Sequence, residues 1–216
     1  MNGTAMKLTK HAHACVALEK NGSRIVLDPG TFTPDAKDAV TGAAAVLITH
    51  EHFDHFDDAL LAAALEADPE LRVFGPRAVL DKLGGHGGRV RAVAAGDTLE
   101  VDGFTVAVHG ERHARIHADI PCVDNLGYLI DATLFHPGDA YFVPQVPVAT
   151  LLLPTSGPWT KLGEAAEYLR AVKPQQVIQI HELMLSDLGQ ASTRTILAGL
   201  TDNEVTLLAP GQSTDL

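Results

Sequence analysis

Three histidines and an aspartate fall within six consecutive positions of this chain, in the run Thr49-His50-Glu51-His52-Phe53-Asp54-His55. Three neutral imidazole nitrogens and a carboxylate oxygen make a donor set suited to zinc, manganese or iron. Side chains two apart on an extended strand end point to the same side, so His50 and His52 can share one ion. Asp54 and His55 fall in the turn beyond and can address a second. Two cations about 3.5–4 Å apart can hold a bridging hydroxide for attack on an ester, lactone or phosphate. A polar helix cap with fortuitous histidines is the weaker explanation of such spacing.

The run must be carried by something rigid. Val46 to Thr49 reads as a short strand and Asp57 to Asp68 as a helix, which puts the histidines at a strand-to-helix junction. Upstream, Cys15 to Glu19 and Arg24 to Asp28 flank Asn21-Gly22, a dipeptide suited to the positive φ angles of a hairpin turn. Downstream come a strand at Arg72 to Phe74, a helix at Pro76 to Leu83 and a flexible loop at Gly84 to Gly88. Two successive hairpins follow, Thr98 to Val101 with Phe104 to Val108, then Leu126 to Ile130 with Thr133 to His136. The last third alternates: strand Thr150 to Leu153, helix Lys161 to Val172, strand Val177 to Ile180, helix Ser192 to Leu200, strand Val205 to Leu208. Two mixed sheets packed together with helices outside, an α/β (α+β) arrangement of four layers, is the simplest architecture that accommodates this order. No internal sequence repeat is evident.

A length of 216 residues suits a single domain, 1–216. The longest apolar runs, such as Ala59 to Leu65, are far below the roughly 20 residues of a membrane span. Met1 to Lys10 lacks the basic, apolar and small-residue order of a secretory signal, and Cys15 and Cys122 form no Cys-x-x-Cys pair, so a reducing cytoplasm is expected. A net charge of −11 without a basic stripe opposes nucleic-acid binding. Two bound divalent cations would cancel about four negative units in one cleft, so an anionic small-molecule substrate fits as well as a neutral one. Homo-oligomerisation is left open by the sequence.

The histidine run resembles the H-x-H-x-D-H signature of the metallo-β-lactamase superfamily, and the resemblance extends over nearly the whole chain. It implies a four-layer αβ/βα sandwich and three later metal ligands, each at a strand end. The third histidine of the first ion corresponds to His113, in Val108-His109-Gly110-Glu111-Arg112-His113, with His109 and His117 as competitors. The bridging carboxylate corresponds to Asp139, in His136-Pro137-Gly138-Asp139; Ala140 stands where family members often carry threonine, and His136 is a supporting or structural residue. The last histidine corresponds to His181, after the apolar strand. The implied set is His50, His52 and His113 for one ion, Asp54, His55 and His181 for the other, and Asp139 between two divalent metals, zinc first, manganese or iron as alternatives.

His13-Ala14-Cys15 and Leu27-Asp28-Pro29 resemble the N-terminal pattern of a small lactonase-like branch that includes L-ascorbate-6-phosphate lactonases and uncharacterised metal-dependent hydrolases. That implies His13 lining the site and Asp28 supporting a metal-bound histidine; a surface histidine and a turn aspartate are the alternatives. Leu153 to Thr160 resembles the loop bordering the pocket, with Thr155, Ser156 and Trp159 able to meet substrate or merely to connect and cover the core. The implied activity is cleavage of a small ester, lactone or phosphoester, with Asp54 orienting the attacking water. His52 stands where a di-iron oxygen reductase would carry glutamate. The rivals are a phosphodiesterase or RNA-processing nuclease, which needs a gripping arm and basic surface not seen here, and a non-catalytic metal-binding domain.

Overall fold

Alternation along the strands sets the layers. The computed structural model describes residues 5–110 and 112–216. Its first half runs β1 (Lys7–Lys10), β2 (Val16–Lys20), β3 (Ser23–Leu27), α1 (Ala36–Val40), β4 (Ala45–Leu47), α2 (Asp58–Ala67), β5 (Arg72–Gly75), α3 (Arg77–Leu83) and β6 (Val90–Ala92). The second runs β7 (Thr98–Val101), β8 (Phe104–His109), β9 (Gly127–Ile130), β10 (Leu134–His136), β11 (Thr150–Pro154), α4 (Leu162–Val172), β12 (Gln176–Ile180), α5 (Asp187–Leu200) and β13 (Val205–Thr206), with β14 (Ser213–Asp215) returning to the first sheet. In β2, β3 and β4, Leu18, Ile25 and Leu47 face one core while Ala17, Val26 and Val46 face another. In β10, β11 and β12, Leu134, Leu152 and Ile178 join that first core while Phe135, Leu151 and Val177 turn to a third. The shared core lies between the sheets; α2 and α3 cover one outer face through Leu61, Leu65 and Val79, and α4 covers the other through Ala165 and Leu169. This is the expected four-layer sandwich.

The two sheets have strand orders β14-β1-β2-β3-β4-β5-β6 and β13-β12-β11-β10-β9-β8-β7. From β1 to β6 the successive pairings are antiparallel, antiparallel, parallel, parallel, parallel, and the same succession runs from β8 to β13. A duplicated pattern is therefore present in the topology although the sequence carries no visible repeat. Its consequence is directional: β1, β3 and β4 run the same way in one sheet, and β8, β10, β11 and β12 run the same way in the other. Bonds from the Leu126 N–H to the Thr49 carbonyl and from the His181 N–H to the His13 carbonyl, 2.8 and 3.0 Å, join the exits of these strands into one rim.

Most expected elements are present. Asn21 and Gly22 take φ of +54° and +84°, as the hairpin turn requires. The structure adds β1, β6, β14 and α1, which are short or polar in sequence; Lys-Leu-Thr-Lys becomes a strand because it has partners on both sides. Helix α5 starts at Asp187 rather than Ser192, because the Ser186 hydroxyl accepts from the Gly189 N–H and caps it there. The loop expected at Gly84 to Gly88 contains a single 3₁₀ turn, His86–Gly88. Among the described residues, no helix is long and apolar enough to cross a membrane.

Tyr128 on β9 is fully buried between the sheets and donates its hydroxyl to the Ile48 carbonyl, 2.7 Å away, beside the histidine run. Tyr128→Phe removes that donor and strands a buried acceptor, so chemical denaturation should show a loss of about 1–3 kcal/mol. An unchanged unfolding midpoint would show that the bond contributes nothing.

Candidate metal centre

The histidine run leaves β4 where strand pairing stops. Asp28, at the exit of β3, accepts from the Thr49 N–H at 2.8 Å and the Thr49 hydroxyl at 2.7 Å, and the N–H groups of His55 and Phe56 close a turn on the His52 carbonyl at 3.0 and 2.9 Å. Gly30 lies so close to the backbone of Asp54 and His55 that any Cβ there would overlap it. A glycine at this position is what lets the two strand exits nest.

Hydrogen bonds then choose which nitrogen each imidazole presents. The Nδ1–H of His55 donates to Asp28 at 2.7 Å, that of His50 to the Thr49 hydroxyl oxygen at 3.0 Å, and that of His113 to the Ala114 carbonyl. With Nδ1 committed, Nε2 is the nitrogen each ring has left to offer. The Nε2 atoms of His50, His55, His113 and His181 are all buried without a hydrogen-bond partner, as is Oδ1 of Asp139. Buried polar atoms are rarely left so, and a cluster of them facing one another could hold a cation.

Two groups emerge. His50, His52 and His113 have donor atoms within 4.8 Å of one another, their rings 4.7–5.0 Å apart in a triangle. His13, Asp54, His55 and His181 form the second group, and Asp139 sits between, its Oδ1 3.2 Å from His55 and its Oδ2 3.1 Å from His181 and 3.4 Å from His113. Asp139 is itself held: its backbone N–H donates to Asn125 at 2.9 Å and its Oδ2 accepts from the Trp159 indole at 2.8 Å. Three of the residues that shape the rim, His13, Asp28 and His181, have left-handed φ of +58°, +48° and +57°. Each such non-glycine turn costs about 1–3 kcal/mol and persists only where the surroundings enforce it.

The charges balance internally. Burial alone would drive His55 neutral, but Asp139 and Asp28 outweigh it and raise its pKa well above the ordinary value. His181 is likewise raised, burial being outweighed by Asp139 and Asp54. Burial opposes ionisation of Asp139, yet His55 and His181 hold it well below the usual carboxylate range; burial opposes that of Asp54 too, and the neighbouring His13, His181 and His55 rings outweigh it. His50 is pushed well below the histidine range by burial and then by His55, so it presents a free lone pair.

The remaining sequence candidates separate clearly. His13 is fully buried and inside the second group, and Asp28 is the buried acceptor for His55. His136 is a structural staple: its Nε2–H donates to the Ala14 carbonyl at 3.0 Å and its Nδ1 accepts from Gly138 at 3.1 Å. His109 and His117 stand apart: His109 packs its ring against Phe135 and Phe142, and His117, largely exposed, pairs with Asp119. Thr155 and Ser156 point at backbone, donating to the carbonyls of Ile180 and His181, so they brace the last histidine. Trp159, expected to meet substrate or cover the core, grips Asp139 instead. Sequence reasoning missed Asn125, Thr49 and the buried ion pair of Lys10 with Glu182, 2.9 Å; a lone polar residue near a strand gives no local signal of such a role.

Two outcomes follow from this geometry. Asp28→Asn replaces one of the two oxygens that serve the Thr49 N–H, the Thr49 hydroxyl and the His55 Nδ1–H with an NH2 donor, and titration with zinc or cobalt should show affinity reduced about 10–100-fold; wild-type affinity would contradict it. Because the neighbouring carboxylates raise the pKa of His55 and His181, an entering cation competes with protons for their nitrogens. Affinity should therefore rise with pH and fall as protonation is restored, and calorimetry in buffers of different ionisation enthalpy should detect proton release. No proton release on binding would refute the arrangement.

Comparison with known proteins agrees with the architecture. The family profile of the Beta-lactamase superfamily domain matches residues 7–181. Protein Rv0786c of Mycobacterium tuberculosis is 39% identical over 186 residues, covering 84% of this chain and 86% of that protein. A UPF0173 metal-dependent hydrolase of Lysinibacillus sphaericus is 26% identical over 96% of this chain and 98% of its own. Among solved structures, Igni18, a metallo hydrolase from Ignicoccus hospitalis, superposes with a TM-score of 0.75 at 22% identity over 99% of each chain. Matching profile, duplicated sandwich and histidine run together make this chain a member of the metallo-β-lactamase superfamily.

Proposed function

We propose that the protein is a metal-dependent hydrolase of a small ester, lactone or phosphoester, built on one domain and using two divalent ions, zinc first. One ion is held by His50, His52 and His113, the other by Asp54, His55 and His181, with Asp139 shared. The observation that carries this reading is the convergence of partnerless buried Nε2 atoms and Asp139 Oδ1 at the rim. Relatives named as metal-dependent hydrolases support the reaction class.

When bound, such ions lower the pKa of a water towards neutrality and polarise the oxygen of the bond under attack. The chain supplies the rest. Asp54 turns one carboxylate oxygen towards the second group of donors, 3.1 Å from the His13 Nε2, which leaves the other to orient the attacking water. Asp28, Thr49 and Trp159 hold their partners so that little reorganisation is needed on reaction. His52, only half-buried, marks the side open to substrate, and Phe53, 62% exposed, leans on Phe32 to form an apolar flank there. The charge of −11 favours a small molecule over a polynucleotide, and two free cysteines fit a cytoplasmic protein.

A panel of lactones, phosphodiesters and thioesters, assayed before and after chelation and after zinc or manganese is restored, tests the reading. Activity should vanish with the chelator and return with metal, and His50→Ala with His52→Ala should reduce both turnover and metal content. Ion-free protein that hydrolyses the panel at the same rate would overturn it.

A further inference from the structure

We propose that His13 is a further ligand of the second ion, so that His13, Asp54, His55 and His181 close that site and the ion on His50, His52 and His113 keeps the open position for substrate. The inference rests on the two-ion reading above.

His13 lies in the loop between β1 and β2, with no exposure to solvent. Its Nε2 is 3.1 Å from Asp54 Oδ2; the same oxygen is 3.4 Å from His181 Nε2 and 3.8 Å from His55 Nε2. Donor atoms bonded to one cation at about 2.1 Å stand roughly 3.0–3.4 Å apart in octahedral or tetrahedral arrangement. These separations are close to the edges of such a shell. All four residues have a donor atom within 4.8 Å of those of the others. A histidine that only oriented Asp54 would sit behind the carboxylate, away from the other donors; this ring instead packs 3.7 Å from that of His181.

The backbone is committed to this placement. The His13 carbonyl accepts from the His181 N–H at 3.0 Å, and the His13 N–H donates to Glu182 Oε1 at 3.0 Å. That same oxygen takes the buried Lys10 ammonium at 2.9 Å, and Lys10 also donates to the His11 carbonyl. A desolvated ion pair and two left-handed residues, costly in isolation, thus clamp the His13 and His181 turns together. The duplicated topology makes the placement intelligible: β1 occupies in its sheet the position of β8 in the other, and the loops after them deliver His13 and His113.

The test uses the full chain loaded with cobalt(II) and reads spectra and ion content. In wild-type protein labelled at histidine with nitrogen-15, strongly hyperfine-shifted rings should include His13 beside His50, His52, His55, His113 and His181; its absence from that set overturns the assignment. His13→Cys should give a near-ultraviolet thiolate-to-cobalt charge-transfer band, and a fully loaded variant without the band overturns it as well. His13→Ala should keep one tightly held ion and bind the second about a hundredfold more weakly, whereas two ions at wild-type affinity refute the proposal. Wild-type protein that takes up no divalent ion would sink the hydrolytic reading itself, a result distinct from every variant outcome.

Discussion

Everything at the rim depends on one buried carboxylate. Asp28 is withdrawn completely from solvent, and a charge taken out of water survives only where hydrogen bonds replace its hydration. The replacements are the Thr49 N–H, the Thr49 hydroxyl and the His55 Nδ1–H. All three belong to the strand-to-helix turn, so satisfying the charge and placing the histidine run are one event. The same bonds settle the chemistry of two rings. A His55 that donates through Nδ1 keeps its lone pair at Nε2, and a Thr49 hydroxyl whose hydrogen goes to Asp28 can only accept from His50.

The rim concentrates buried polar groups and tight backbone contacts. Left-handed backbone at His13, Asp28 and His181, the buried pair of Lys10 and Glu182, and the contact of Gly30 with the Asp54–His55 peptide all lie at the exits of strands that run the same way. Elsewhere three apolar cores pack by ordinary alternation. Such a division is expected when rigid sheets supply the surplus stability that a preorganised polar site consumes. The proximity of His55 and His181 to Asp139 is part of it, since both rings hold its carboxyl well below the usual range against the cost of burial.

How much of this could be read from the chain follows from how local each feature is. The run from His50 to His55 is self-announcing because its donors are adjacent and its strand and helix flank it directly. Asp139 and His181 needed the family resemblance, which supplied an order of strand ends that spacing alone cannot give. Position among His109, His113 and His117 depends on backbone pairing: the His113 N–H meets the Val123 carbonyl and the Ala114 N–H meets the Asp139 carbonyl, which brings His113 inward to the cluster while His117 stays in solvent. Lys10 was illegible for a different reason. A lysine in a polar strand reads as solvent-facing, and its burial depends on Glu182, whose sequence distance of 172 leaves no local trace.

Ala140 shows how such a constraint can be met from elsewhere in the chain. Loss of a hydroxyl next to Asp139 would leave a buried carboxylate short of a donor, and Trp159 supplies one from the loop after β11. The exchange is chemically apt. An indole nitrogen donates and cannot accept, so it steadies Oδ2 without competing for a cation, and the bulk of the ring excludes water between His113 and Tyr141. Oδ1, which receives no such bond, stays available on the side facing His55. The two oxygens of one residue are thereby set apart, Oδ2 fixed by the indole and Oδ1 left without a hydrogen bond.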